Sequence, residues 1–232
     1  MYHFSKAVLV GVLYLIFFHA PGYAVEKNDI IIYLALDGDA KNSAREEYQG
    51  KGYALEFTTD RFGNAGKALW LNNAKSFIEI DKSNELHLQN TPFTIIAWMK
   101  FNLDNPDNAA ISKHQAGSFN GYSIGITQNK FVFYLNQDPR LMSQKAYNDD
   151  QWHMVTAVYD KETMRLYVDG IQDCQQSVKY TNINSSPLYI GTCDSSINRV
   201  NAVFKGCLDD IFIIGNALSP EQVLSFYNAS KP

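Results

Sequence analysis

Carboxylates are the first groups in this chain whose type and spacing could do chemistry. Asp37 and Asp39 sit two residues apart in Leu36-Asp37-Gly38-Asp39, and Asp209 adjoins Asp210 near the other end. Asp60, in Asp60-Arg61-Phe62-Gly63, is a further oxygen donor. Calcium is a hard cation that gathers oxygens from carboxylates and carbonyls. Asp37, Asp39, Asp60 and Asp209 are therefore candidate ligands for a structural calcium; the alternative is a solvated acidic surface. A second set is Glu79, Asp81 and Glu85. Glu79 and Asp81 share one face of a strand, because side chains alternate with period two. Glu85 lies beyond the turn-like Lys82-Ser83-Asn84 and falls out of register. A retaining glycosidase needs two carboxyls about 5–5.5 Å apart, and this spacing does not provide a third partner in line.

Nucleophilic chemistry has less support. There is no Gly-x-Ser-x-Gly elbow, and His87, His114 and His153 have no motif partners. Cys174, Cys193 and Cys207 lack the surroundings of a reactive thiolate. In an oxidising compartment they predict one disulfide and one remaining thiol. Cys174–Cys193 and Cys193–Cys207 each join neighbouring segments, and both pairings stay open. Their spacing does not suit zinc. Binding by aromatics remains. A pyranose stacks on an aromatic ring and is hydrogen-bonded by polar side chains. Phe119, Asn120, Tyr122, Tyr147 and Arg199 are the candidates, from the polar segments 113–122, 136–151 and 193–204. Tyr122 also fits a core strand. Asn184-Ser185-Ser186 and Asn228-Ala229-Ser230 are glycosylation sequons.

The elements that would position these groups are strands. NDIIIYLALDGD (28–39) reads as a strand running into a polar loop. ALWLN, KSFIEID and FTIIAWMKF follow, alternating or continuously apolar as core strands are. GYSIGIT and KFVFYLN form a hairpin about Gln128 and Asn129. WHMVTAVYD and MRLYVDG form another across KET, and Asp169-Gly170 is a favoured tight turn into IQDCQQSV. CLDDIFII is the last strand. Ser219 caps a closing helix with Pro220 in its first turn, then Glu221 and Gln222. Many short strands and one terminal helix predict an all-β sandwich or jelly roll.

Residues 1–24 read as a secretory signal: Lys6 is the positive start, Ala7–Phe18 the apolar run, and Gly22 and Ala24 the small residues before cleavage. The alternative is an uncleaved N-terminal anchor. The remaining 25–232 fits one domain. Removal of Lys6 leaves 19 basic and 24 acidic residues from the 20 and 24 of the whole chain, a formal charge of −5. That balance disfavours nucleic acid and anionic lipid as partners. A secreted, extracytoplasmic protein with no membrane span after cleavage is expected.

Seven segments, in order, resemble the laminin-G-like, concanavalin A-like jelly-roll superfamily, in particular LamG-like modules related to pentraxins. They are LALDGDA (34–40), DRFGNAGKALWLNNAKSFIEI (60–80), TPFTIIAWMK (91–100), QWHMVTAVYD (151–160), RLYVDG (165–170), PLYIG (187–191) and FKGCLDDIFIIGNALSPEQV (204–223). The resemblance implies two antiparallel sheets face to face, with Ile96, Trp98, Val155, Ala157, Leu166, Val168 and Ile190 in the core and His153 a packing residue. It implies a binding module for glycans or proteins, with calcium at the rim near the Asp37 and Asp209 segments. The chain departs from the calcium-binding pattern at Asn42-Ser43-Ala44-Arg45-Glu46, where a cation replaces a flexible small residue. Arg45 could then substitute for the metal by pairing with a carboxylate. Fold analogy does not assign function. The expected function is a non-enzymatic module for a glycan or glycoprotein. The alternatives are a protein-interaction or structural envelope component and, third, a glycoside hydrolase.

Overall fold

The computed structural model describes residues 25–81, 85–102, 108–115, 120–136, 140–181, 184–193 and 203–232. Fifteen strands are seen among them: β1 (Ile30–Leu34), β2 (Lys51–Tyr53), β3 (Glu56–Thr58), β4 (Ala68–Leu71), β5 (Phe77–Ile80), β6 (Phe93–Lys100), β7 (Asn108–Gln115), β8 (Asn120–Thr127), β9 (Lys130–Leu135), β10 (Arg140–Met142), β11 (His153–Tyr159), β12 (Thr163–Val168), β13 (Ile171–Ser177), β14 (Leu188–Ile190) and β15 (Gly206–Ile214). One sheet runs β13-β12-β11-β6-β15-β4-β3, with β1 also on β15; the other runs β10-β9-β8-β7-β14-β5-β2. All the paired strands are antiparallel. This is the expected jelly-roll sandwich.

The local signals hold where turn chemistry is local. Gln128 and Asn129 both take positive φ (52° and 63°), as do Asp169 and Gly170 (53° and 80°). These are the conformations that a tight two-residue hairpin demands. Helix α1 (Pro220–Ser230) starts with a full capping box: the Ser219 hydroxyl accepts from Gln222 N, and Gln222 Oε1 accepts from Ser219 N. β7 is a strand that the sequence reading passed over, because Ser112-Lys113-His114-Gln115 has the composition of a loop.

The core has two layers. Phe93, Ile95, Ala97 and Met99 of β6 point between the sheets, with Val155, Ala157, Leu166, Val168, Ile190, Ile124 and Phe133. Ile96 and Trp98, the alternate residues of the same strand, do not. They belong to a second cluster on the outer face, with Met154, Val158, Tyr167 and Phe212, under Val223 and Phe226 of α1. Trp98 stacks on Tyr227 (5.9 Å) and Phe212 meets Phe226 edge-on (5.1 Å). Ile96 and Trp98 are core residues as expected, but of this outer layer rather than of the space between the sheets. β6 is apolar on both faces because a helix covers the sheet from outside. At about 1.5–3 kcal/mol for each large side chain buried, this layer fastens α1 firmly to the fold.

Candidate ligand-binding site

Two of the calcium candidates, Asp60 and Asp209, lie inside the protein. Asp209 stands opposite Trp98 on the outer face of the large sheet, and both Asp209 and Asp210 are buried. Arg61 lies between them: Nη1 donates to Asp209 at 2.5 Å, Nη2 to Asp210 at 2.6 Å, and Nε to the Ser230 carbonyl at 2.8 Å. Its guanidinium also covers the Trp98 ring at 4.9 Å and the Phe62 ring at 4.5 Å. Tyr33 donates its hydroxyl to the second Asp210 oxygen at 3.0 Å. Burial, then the Asp210 charge, pushes the Tyr33 phenol far above its ordinary range. Asp60 is spent on its own turn, accepting from Phe62 N, Asn64 N and the Asn64 amide. Asp37 lies 3.6 Å from the Lys67 ammonium, and Asp39 accepts from Lys41 N. Among the described residues, no three acidic, histidine or cysteine side chains converge as a metal-binding group. A guanidinium does hold a carboxylate pair as expected, but it belongs to Arg61. Arg45 instead donates to the Ile30 and Asn28 carbonyls.

The expected ligand residues fall at opposite ends of the sandwich. Asn120 opens β8 at the end where β6 begins, and its carbonyl accepts from the Asn184 amide at 2.8 Å. Tyr122 is core: it is fully buried, donates to the Leu86 carbonyl at 3.0 Å and packs 5.5 Å from Phe93. Its proposed ligand role is corrected by strand alternation, which turns it inward. Phe119 and Arg199 lie outside the described residues, as does the expected signal 1–24. Tyr147 is at the other end, where β6 finishes and β11 starts; its amide donates to the Asn129 carbonyl at 2.8 Å.

A polar cluster surrounds Tyr147. Its ring meets His153 edge-on (4.8 Å) and lies on Phe131 (4.8 Å). His153 Nδ1 is 2.7 Å from Asp169, and Nε2 is 3.3 Å from both Asp149 oxygens. Asp169 also accepts from Met154 N. Burial alone would lower the His153 pKa. The hydrogen bonds and charges of Asp169 and Asp149 together outweigh it and raise the value. A raised histidine pKa contributes stability below the unfolded value near 6.5, lost as pH rises through the folded value. In Asp169→Asn the His153 midpoint, followed by NMR, should fall, and the stability gained on acidification from neutral pH should shrink with it. Beside this cluster Lys100 reaches over the half-buried Trp152 ring at 5.9 Å and pairs with Asp150 at 3.7 Å.

At the Asn120 end a buried network formed without any motif. The Lys113 ammonium is inaccessible to solvent and donates to the Ser186 carbonyl at 2.7 Å. Burial lowers its pKa to about 8. The Asn184 carbonyl meets His87 Nε2 at 2.6 Å, and the Asn184 amide donates to Lys113 O and Asn120 O. The Asn184 sequon side chain is therefore committed inside the fold. Glu79 lies on β5 while Glu85 accepts from Tyr48. The cysteines form no disulfide with one another. Cys174 is on β13 and Cys207 on β15, four inter-strand steps apart and so about 19 Å. Bridging needs Cα atoms within about 7 Å. Neither expected pairing, Cys174–Cys193 or Cys193–Cys207, is formed: all three are thiols, Cys174 donates to the Met142 carbonyl, and burial holds the Cys207 thiol up at about 11. No described helix is long and apolar enough to cross a membrane.

Among solved structures, the binding domain of Paraclostridial Mosquitocidal Protein 1 superposes with a TM-score of 0.70 at 14% identity, covering 88% of this chain and 52% of that one. A botulinum neurotoxin type C structure, described by its interaction with two ganglioside molecules, gives 0.66 at 15% identity, with 88% and 51% covered. The binding domain of botulinum neurotoxin DC, solved with rat synaptotagmin II, gives 0.64 at 15%, with 88% and 52% covered. The chain spans about half the length of these structures, and at such identities the likeness is one of fold. Residues 72–224, well over half of the sequence, match the Laminin_G_3 family profile. With the two-sheet jelly roll described above, this chain belongs to the concanavalin A-like lectin/glucanases superfamily.

Proposed function

We propose that this chain is an exported, non-enzymatic binding module that recognises a carbohydrate or a glycosylated surface at the end of the sandwich bearing Tyr147. The observation that carries this reading is the His153 cluster. Two carboxylates and an edge-on aromatic ring fix the imidazole, and on the other face of the same strand end Lys100 lies over Trp152. Such a surface offers fixed donors and acceptors to hydroxyl groups and flat apolar area to a sugar ring. Membership in a superfamily named for lectins, and a similar structure described with gangliosides, point the same way. The similar solved structures are described as binding and receptor-binding domains, which favours recognition over turnover.

The expected result is selective binding of the purified protein on a glycan array, weakened at least tenfold by Tyr147→Ala. Silence across a broad array from a folded sample would favour the second reading, a protein partner. That reading has its own observation: Ile171 and Leu224 are 69% and 44% exposed, where α1 sits against the turn at Gly170.

A further inference from the structure

One row of residues on the outer face of the large sheet is not covered by α1. Register fixes it. Glu56 stands opposite Trp70, Trp70 opposite Cys207, and Cys207 opposite Lys100. Trp152 directly precedes the His153–Met99 pair and so continues the row beside Lys100. Directly opposed residues of an antiparallel pair project from the same face. Trp70 and Trp152 therefore flank Cys207 and Lys100 across three inter-strand steps, about 14 Å. Trp70 is 42% exposed, an unusual position for so large an apolar ring, and nothing described packs over it. Cys207 is nearly covered and forms a floor between the rings.

We propose that this row is a platform for an unbranched, neutral oligosaccharide, running along the outer face from Trp152 to Trp70. The inference rests on the glycan-binding reading and assigns its extended subsite. The platform has the two properties that a sugar chain requires. Its rings lie at the ends of a flat sheet surface, where pyranose faces can stack. Between and beside them are one ammonium and two carboxylates, Lys100, Asp150 and Glu56, to exchange hydrogen bonds with hydroxyls. The charges also choose the ligand. Lys100 is already paired with Asp150, and Glu56 leaves the row net negative. An acidic sugar or a phosphorylated glycan would be repelled by the Glu56 carboxylate, whereas a neutral chain would not. The separation of about 14 Å selects extended chains over branched termini, because only an extended chain reaches both tryptophans.

Isothermal titration of the purified protein with neutral hexasaccharides of β-1,4-glucose, β-1,4-mannose and β-1,3-glucose tests this. At least one should bind, with the matching disaccharide at least tenfold weaker. Trp70→Ala should weaken hexasaccharide binding about tenfold, and Trp70→Phe should restore most of it, since Phe keeps a stacking face. Trp70 is half in solvent, so a circular dichroism melt should show both variants folded. A wild-type protein that binds array glycans but for which Trp70→Ala leaves every affinity unchanged overturns the platform alone. A protein that binds no glycan in either assay overturns the underlying reading together with it. Preference for acidic over neutral chains of equal length would overturn the ligand class.

Discussion

Replacing Arg61 with Met should destabilise the fold by about 3–5 kcal/mol, the cost of leaving buried charge unpaired. Two carboxylates, Asp209 and Asp210, take their counter-charge from this guanidinium, and both are buried away from water. The loss extends beyond the ion pairs. Arg61 also donates to the Ser230 carbonyl at the end of α1 and lies on Trp98, so the same change loosens the helix and the outer core layer. Urea unfolding should show the midpoint fall with little change in slope. Adding Asp209→Asn and Asp210→Asn to Arg61→Met should recover part of the loss, because amides need no counter-charge. This is the contrast that separates charge from packing. Since Arg61 already supplies the cation between these carboxylates, the melting temperature of the unaltered protein should be the same in excess calcium and in excess chelator. A shift of several degrees would show that a metal stabilises the fold elsewhere, with Asp37 and Asp39 the first residues to examine.

The Arg61 network also marks where sequence reasoning stops. The turns at Gln128-Asn129 and Asp169-Gly170 and the Ser219 cap were legible, because each is decided by residues within a few positions of one another. The sandwich was legible too, through the order of apolar strands. Arg61 and Asp209 are 148 residues apart, and no local rule says which of two arginines will meet the acidic pair. Arg45 lay nearer the expected metal loop, yet its strand neighbours offered carbonyls first. The two-sided burial of β6 did leave a trace. FTIIAWM carries no polar residue but Thr94, and a half-buried strand should alternate. That run predicts cover on both faces, although not that α1 provides it. The candidate site was legible only in part. Tyr147 was found as a loop aromatic, but the cluster around it was not, since it depends on a turn aspartate, Asp169, from the neighbouring hairpin. The Trp70–Trp152 row is invisible without strand order, because its members come from five separate segments.

Lys113→Met should raise stability at neutral pH by about 2 kcal/mol. Lowering the lysine from its ordinary 10.5 to about 8 corresponds to roughly 3 kcal/mol at 1.36 kcal/mol per pH unit. Leaving the Ser186 carbonyl with one donor fewer takes back about 1 kcal/mol. The physical cause is plain in the surroundings. The ammonium is buried on β7 against the Ser186 and Asn184 carbonyls, its charge acts on the His87 imidazole, and the opposed residue on β8 is the neutral Tyr122. Carbonyl oxygens solvate the charge only partly. The sign follows from linkage. Below about pH 8 both folded and unfolded chains hold the proton, and the full penalty is present. Between about 8 and 10 the folded chain has released it while the unfolded chain still binds it, so stability rises with pH. Other groups oppose this. Burial holds the thiols of Cys174 and Cys207 up at about 12 and about 11, and their unfolded forms ionise from about pH 9. Tyr33 and Tyr122 act likewise at higher pH. The measurement is therefore a difference: unfolding free energy of Lys113→Met minus that of the unaltered protein, from pH 6 to pH 10. The advantage of the variant should be flat up to about pH 8 and then decline towards zero. A flat difference across the whole range would mean that Lys113 keeps its proton in the fold, and that the carbonyls solvate the ammonium as well as water does.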